Sequence, residues 1–272
     1  MKYFLSFICI FLVFVQCTQS QDLSSQEVNQ LNQEIKAQLF PGTENKDIKF
    51  NFDQSFKEVL IPISDGINLS GLYFNATNPK GLIFYLHGSN ADLSEWGKIS
   101  TIYTNLNYDL FMIDYRGYGK SDGKFLSERQ WYNDMQVVYE FLKTEYATES
   151  KIIILGQSLG TAAASYLAAK NNPQKVILQA PFYSFADWTA SLDPNIDLNI
   201  LELKLDNYQN LKETKVPIII FHGNQDKAVY YASSLKLMDI FKKGDKMITL
   251  EGEGHNDFSK NPQYLKELKK HL

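Results

Sequence analysis

Residues 151–171 read Lys-Ile-Ile-Ile-Leu-Gly-Gln-Ser-Leu-Gly-Thr-Ala-Ala-Ala-Ser-Tyr-Leu-Ala-Ala-Lys-Asn. Ile152 to Leu155 are all apolar, Gly156-Gln157-Ser158-Leu159-Gly160 follows, and an alanine-rich stretch comes next. The apolar run predicts a strand buried on both faces, and the alanines predict a helix. Between them the chain has to turn sharply. Ser158 then sits at the tip of the turn with its hydroxyl exposed and helix N–H groups beside it. Gly156 and Gly160 suit such a junction, because a side chain at either would crowd it. Ser158 is therefore a candidate nucleophile. The competing reading is a helix start with a serine as its cap.

The same rhythm extends in both directions. Strands are expected at 81–86, 109–114, 151–155, 175–180, 217–221 and 246–250, and helices near 93–105, 127–146, 159–171, 229–242 and 261–271. Apolar runs such as Ile218 to Phe221 carry no polar face. They predict an α/β domain whose mostly parallel central sheet, of about eight strands, is covered by helices on both sides. Ahead of it, 56–63 and 67–76 alternate about Asp65-Gly66 as an antiparallel hairpin. In an N-terminal extension, 21–55, Val28, Leu31, Ile35 and Leu39 mark one helix face, with Ser24 or Ser25 as cap and Pro41-Gly42 as stop. The domain proper is expected at 56–272. Residues 181–215 interrupt the rhythm after a strand end, where a short helical cap would emerge. In that segment Tyr183, Phe185 and Trp188 are candidate substrate contacts, unless they are simply core.

Composition narrows the class. At 44% hydrophobic and 14% aromatic the chain can build a packed globule, and a net charge of −4 without lysine-rich runs gives no sign of nucleic-acid binding. The only cysteines are Cys9 and Cys17, near the N-terminus, so thiol chemistry is excluded from the body. His87, His222, His255 and His271 show no metal-ligand spacing. No metal and no cofactor is implied. Met1-Lys2 precedes the apolar run Tyr3 to Val15, and a polar exit follows. Residues 1–20 read as a signal peptide or a lipoprotein leader, too short to cross a bilayer core of about 30 Å. The chain is thus expected to be exported: periplasmic, secreted, or anchored to a membrane through a lipidated Cys17.

A serine hydroxyl needs a base within reach, and the base needs an orienting acid. Strand 217–221 runs into His222-Gly223-Asn224-Gln225-Asp226, and strand 246–250 into Glu251-Gly252-Glu253-Gly254-His255. Strand direction puts Asp226 and His255 on the same rim as Ser158, as acid and base. His222 reads as a structural residue at a strand end. The N–H of Leu159 and that of Ser89, in the loop His87-Gly88-Ser89-Asn90, are the expected oxyanion donors.

Leu86-His87-Gly88-Ser89-Asn90, Asp114-Tyr115-Arg116-Gly117-Tyr118-Gly119-Lys120-Ser121, Gly156-Gln157-Ser158-Leu159-Gly160, His222-Gly223-x-x-Asp226 and Gly254-His255 together resemble the α/β-hydrolase superfamily. Within it the chain is similar to the small-cap serine hydrolases, which include serine-aminopeptidase-like and depalmitoylating members. The resemblance covers about residues 56–272. It implies the α/β-hydrolase fold, with Ser158 as nucleophile, Asp226 as acid, His255 as base, and Ser89 and Leu159 at the oxyanion positions. Many relatives carry Asn directly after His-Gly, where this chain has Ser89. The expected activity is cleavage of a carboxylic ester or thioester on a small-molecule or acyl-bearing substrate. An aminopeptidase-like amide hydrolase and a non-catalytic binding protein are the alternatives.

Overall fold

Every residue of Ile83–Leu86, Leu110–Ile113, Ile152–Leu155 and Ile218–Phe221 is buried, so these strands are covered on both faces. A computed structural model describes residues 23–256 and 258–272. The leader with its Cys9 and Cys17, and Asp257, lie outside the described residues.

In chain order the elements are α1 (Ser25–Leu39), β1 (Phe56–Pro62), β2 (Asn68–Phe74), β3 (Leu82–Leu86), α2 (Leu93–Trp96), α3 (Ser100–Thr104), β4 (Asp109–Ile113), α4 (Glu128–Glu145), β5 (Ile152–Gln157), α5 (Gly160–Lys170), β6 (Lys175–Gln179), α6 (Phe185–Leu192), α7 (Asn207–Glu213), β7 (Ile218–Gly223), α8 (Tyr231–Leu237), β8 (Lys246–Leu250) and α9 (Pro262–His271). Single-turn 3₁₀ segments link several of them. The strands form one eight-stranded sheet, order β1-β2-β4-β3-β5-β6-β7-β8. β1 and β2 pair antiparallel, β2 meets β4 antiparallel, and the six strands from β4 to β8 are parallel.

Successive strand residues face opposite layers, and the core divides accordingly. Phe84, Ile152, Ile154, Val176 and Ile220 pack with α1, α4 and α5 through Leu31, Trp131, Met135 and Ala163. Ile83, Ile153, Leu155, Ile177 and Phe221 pack with α2, α3 and α9 through Leu93, Tyr103 and Leu268. Each buried Val, Leu, Ile, Phe or Met side chain among them contributes about 1.5–3 kcal/mol by leaving water.

The β5–α5 junction carries the steric constraint expected of it. A Cβ on Gly156 would lie 2.5 Å from the Gly160 carbonyl oxygen, and one on Gly160 would lie 2.1 Å from that of Leu86. Both obstacles are backbone, so neither position accepts a side chain. The helix expected near 93–105 is instead α2 and α3 joined by a 3₁₀ turn at Gly97–Ile99. Gly97 packs against Phe52, whose Cζ would stand 2.4 Å from an added Cβ.

Ser24 caps α1 in a full capping box with Glu27. The buried Asn32 donates to the Ile200 carbonyl and accepts from Glu202 N–H, both at 2.8 Å, and Lys36 pairs with Glu202 at 2.7 Å. Further on, Thr43 and Asn45 N–H donate to the carbonyls of Gly117 and Gly119. The extension therefore straps the 198–205 segment and the loop after β4 to the body. Arg116 from that loop makes a buried two-point ion pair with Asp134 on α4, at 2.7 and 2.9 Å.

Candidate active site

Ser158 lies between the last residue of β5 and the first of α5, with φ +51°. A non-glycine residue in the left-handed region is strained, and the neighbours hold it there. Its N–H donates to the Gln179 carbonyl on β6 at 2.9 Å, and Gly160 clamps the following turn against β3. The turn lifts the hydroxyl out of the sheet.

His255 follows β8 and Asp226 follows β7, both at C-terminal strand ends. The Ser158 hydroxyl lies 2.9 Å from His255 Nε2, and His255 Nδ1 lies 2.6 Å from Asp226 Oδ2. The three residues named from sequence thus meet in one hydrogen-bonded line, with the Asp226 side chain fully buried and that of His255 10% exposed.

Burial alone would raise the Asp226 carboxyl, but hydrogen bonds from His222 and His255, the His255 charge and the Val229 N–H outweigh it. The carboxyl is held below the ordinary carboxylate range and is ionised at neutral pH. An ionised carboxylate only accepts, so His255 Nδ1 carries the proton and Nε2 presents a lone pair to the serine hydroxyl. A hydroxyl so placed can pass its proton to the imidazole as it attacks a carbonyl.

His222 contributes more than the sequence reading gave it. Its Nε2 faces Asp226 Oδ2 at 3.1 Å and the Val229 carbonyl at 3.0 Å, while Nδ1 pairs with Ser234 Oγ at 2.6 Å. Asp226 Oδ1 accepts from the N–H groups of Ala228 and Val229 at 2.8 and 2.9 Å. Four donors therefore converge on one carboxylate. The signal available was the four-residue spacing of His222 and Asp226 across a turn.

The loop His87–Asn90 lies against the nucleophile: a Cβ on Gly88 would be 3.6 Å from that of Ser158. The N–H groups of Ser89 and Leu159 donate to no protein acceptor among the described residues.

The aromatic residues expected to touch substrate sit differently. Phe185 and Trp188 are 3% and 4% exposed in the core, and the Trp188 indole N–H donates to the Ala228 carbonyl at 2.8 Å. Trp188 thereby braces the loop that carries Asp226. Tyr183 is half-buried and stacks on Tyr208. A cleft of about 390 Å³ between α4, α5 and residues 202–204 is lined by none of Ser158, Asp226 and His255. A smaller one, of about 40 Å³, is bordered by Gln157 and Asn256, the neighbours of Ser158 and His255.

An eight-stranded, mostly parallel sheet with a strand–turn–helix serine and an imidazole and carboxylate from later strand ends is a hydrolase-type architecture. Residues 77–202 match the family model described as Serine aminopeptidase, S33. Alpha/beta hydrolase domain-containing protein 17B of Xenopus tropicalis is 33% identical over 206 residues, covering 71% of this chain and 66% of that protein. The Homo sapiens protein of that name is 32% identical with the same coverage. The chain thus spans just under two thirds of the length of these curated relatives. Among solved structures, an alpha-beta hydrolase from Vibrio vulnificus superposes with a TM-score of 0.71 at 20% identity, covering 93% of this chain and 95% of that one. An esterase of Pyrococcus furiosus does so with a TM-score of 0.66 at 15% identity, covering 85% and 94%. The chain belongs to the α/β-hydrolase superfamily.

Proposed function

We propose that this protein is a serine hydrolase that cleaves a carboxylic ester or thioester through an acyl-enzyme. Ser158 attacks the carbonyl, His255 takes the hydroxyl proton, and Asp226 holds the imidazolium that forms. The N–H groups of Ser89 and Leu159 stabilise the oxyanion. His255 then protonates the leaving alcohol or thiol. Water, deprotonated by the same imidazole, releases the acyl group. The observation that carries this reading is the continuous line from Ser158 Oγ to His255 to Asp226, at 2.9 and 2.6 Å, on a serine held at positive φ.

A fluorophosphonate probe should label the protein, and Ser158→Ala should abolish labelling. A Ser158→Ala variant that is labelled, or that keeps most of its turnover, refutes the assignment. p-Nitrophenyl esters of graded chain length, an acyl thioester and aminoacyl amides, assayed side by side, identify the bond cleaved.

The description of the matching family model favours a second reading, removal of N-terminal residues. That reaction needs free carboxylates to hold a substrate amine. The carboxylates of 181–215 are already engaged: Asp187 with Lys236, Glu202 with Lys36, Glu213 with Lys170, and Asp193, Asp197 and Asp206 with backbone N–H groups. This supports an ester or thioester over a peptide. The leader reading extends the proposal to an exported enzyme. A mature mass consistent with loss of residues 1–20, or with a lipid on Cys17 that Cys17→Ser removes, tests it.

A further inference from the structure

In the loop that faces Ser158, each of the four consecutive carbonyls of residues 87–90 is held by a side chain. The His87 carbonyl accepts from the Tyr115 hydroxyl at 2.8 Å, and that of Gly88 accepts from His87 Nδ1 at 2.7 Å. The Ser89 carbonyl accepts from the Tyr118 hydroxyl at 2.7 Å, and that of Asn90 from the Trp96 indole at 2.9 Å.

A peptide unit is planar and its C=O and N–H point opposite ways. The Ser89 N–H shares its plane with the Gly88 carbonyl. Fixing that oxygen on the His87 ring therefore fixes where the Ser89 N–H points. Tyr118 fixes the next plane along.

The His87 ring is well placed to hold the loop still. It is fully buried and lies near parallel to Tyr115 and to Trp96, with centroids at 4.1 and 6.0 Å. A carbonyl only accepts, so Nδ1 must carry the proton. Burial brings the imidazole down to about 4, against the opposing pull of the Gly88 carbonyl and Asp92, so the ring is neutral. Among the described residues Nε2 has no hydrogen-bond partner, and the nearest Asp114 oxygen is 3.8 Å away. Burial foremost also raises the Asp114 carboxyl. A carboxyl so raised draws a second proton onto the ring less strongly, so the tautomer that donates to Gly88 is kept.

We infer that His87 and Tyr118 are positioning residues for the oxyanion-binding N–H of Ser89, acting through the carbonyls on either side of it. The inference rests on the proposed serine mechanism. A donor aimed at the developing oxyanion lowers the barrier without tightening ground-state binding. Loss of the aim should therefore appear in the chemical step alone.

The test is the kinetics of fluorophosphonate labelling of the full chain, in which the Ser158 Oγ–P bond forms, His255 takes the hydroxyl proton, fluoride leaves opposite the attacking oxygen, and the phosphonyl oxygen occupies the oxyanion site. His87→Phe keeps a stacking ring and removes the donor. It should lower kinact on the order of 10²-fold, the scale of one lost oxyanion donor, with KI unchanged. His87→Asn carries an amide nitrogen on Cγ, where His87 carries Nδ1, and should restore most of the rate. Tyr118→Phe should lower kinact with KI unchanged. Wild-type kinact in His87→Phe, or equal loss in His87→Phe and His87→Asn, overturns the role of His87. If His87→Phe does not fold, Tyr118→Phe decides, and a wild-type rate there overturns the inference. Ser158→Ala runs alongside: if it is still labelled, the serine mechanism itself has failed, whereas an unlabelled Ser158→Ala beside normal His87 and Tyr118 variants defeats only this inference.

Discussion

Asp226→Asn isolates the electrostatics of the site with the least change of shape. In the native site Oδ1 accepts two backbone N–H groups, from Ala228 and Val229, and Oδ2 faces His255 Nδ1 at 2.6 Å. Asparagine has one oxygen. Turning it toward His255 would leave its NH₂ against both backbone donors, at about 1–3 kcal/mol for each unsatisfied group. The oxygen should therefore stay with the backbone, leaving the NH₂ facing His255 Nδ1. Two donors cannot face one another, so the imidazole moves its proton to Nε2. That nitrogen lies 2.9 Å from the Ser158 hydroxyl and can no longer accept its proton. The loss in kcat should be on the order of 10⁴, or about 5 kcal/mol of barrier. Folding should survive, because His222 Nε2 keeps the Val229 carbonyl at 3.0 Å. The assay is kcat on p-nitrophenyl butyrate beside a thermal melt. A folded Asp226→Asn protein that keeps more than about a tenth of wild-type kcat refutes the reasoning.

Three further outcomes are expected. Ser158→Gly and Ser158→Ala should both be inactive, but the glycine variant should be about 1 kcal/mol more stable in urea unfolding, because only it is relaxed at φ +51°. Equal stabilities would show that the turn carries no strain. Asn32→Ala leaves the Ile200 carbonyl and the Glu202 N–H without their partner, so it should cost about 1–3 kcal/mol and speed tryptic cleavage at Lys204; unchanged proteolysis would remove the strap role of α1. Asp114 is raised chiefly by burial, so its contribution to stability is complete below the unfolded value of about 3.9 and is lost as pH rises toward the folded one. Asp114→Asn cannot ionise, and its stability relative to wild type should therefore grow as pH rises; a gap that is flat with pH would contradict this.

The strands were legible because the sheet is covered on both faces. Ile152–Leu155 and Ile218–Phe221 had to be continuous apolar runs, and no other element of such short length reads that way. The elbow was legible because its glycines answer to backbone obstacles a few residues or one strand away. The break between α2 and α3 was not, since it depends on Phe52, distant in sequence, lying against Gly97. The aromatic residues at 183–188 were ambiguous for a related reason. Their composition suits a pocket or a core equally, and only packing assigns Phe185 and Trp188 to the core.

The sequence alone determined the order of strands and helices, the tight turn at Ser158, and the placement of Asp226 and His255 after later strands. Those features follow from local sterics and from apolar periodicity. The tertiary structure decided what converges: the second histidine on Asp226, the four side chains on the carbonyls of 87–90, and the hold of α1 on 198–205. The bonds of Tyr115, Tyr118 and Asn32 join residues far apart in the chain, and the short-range ones of His222 and His87 depend on loop shapes that are set only once the sheet has brought its strand ends to one rim.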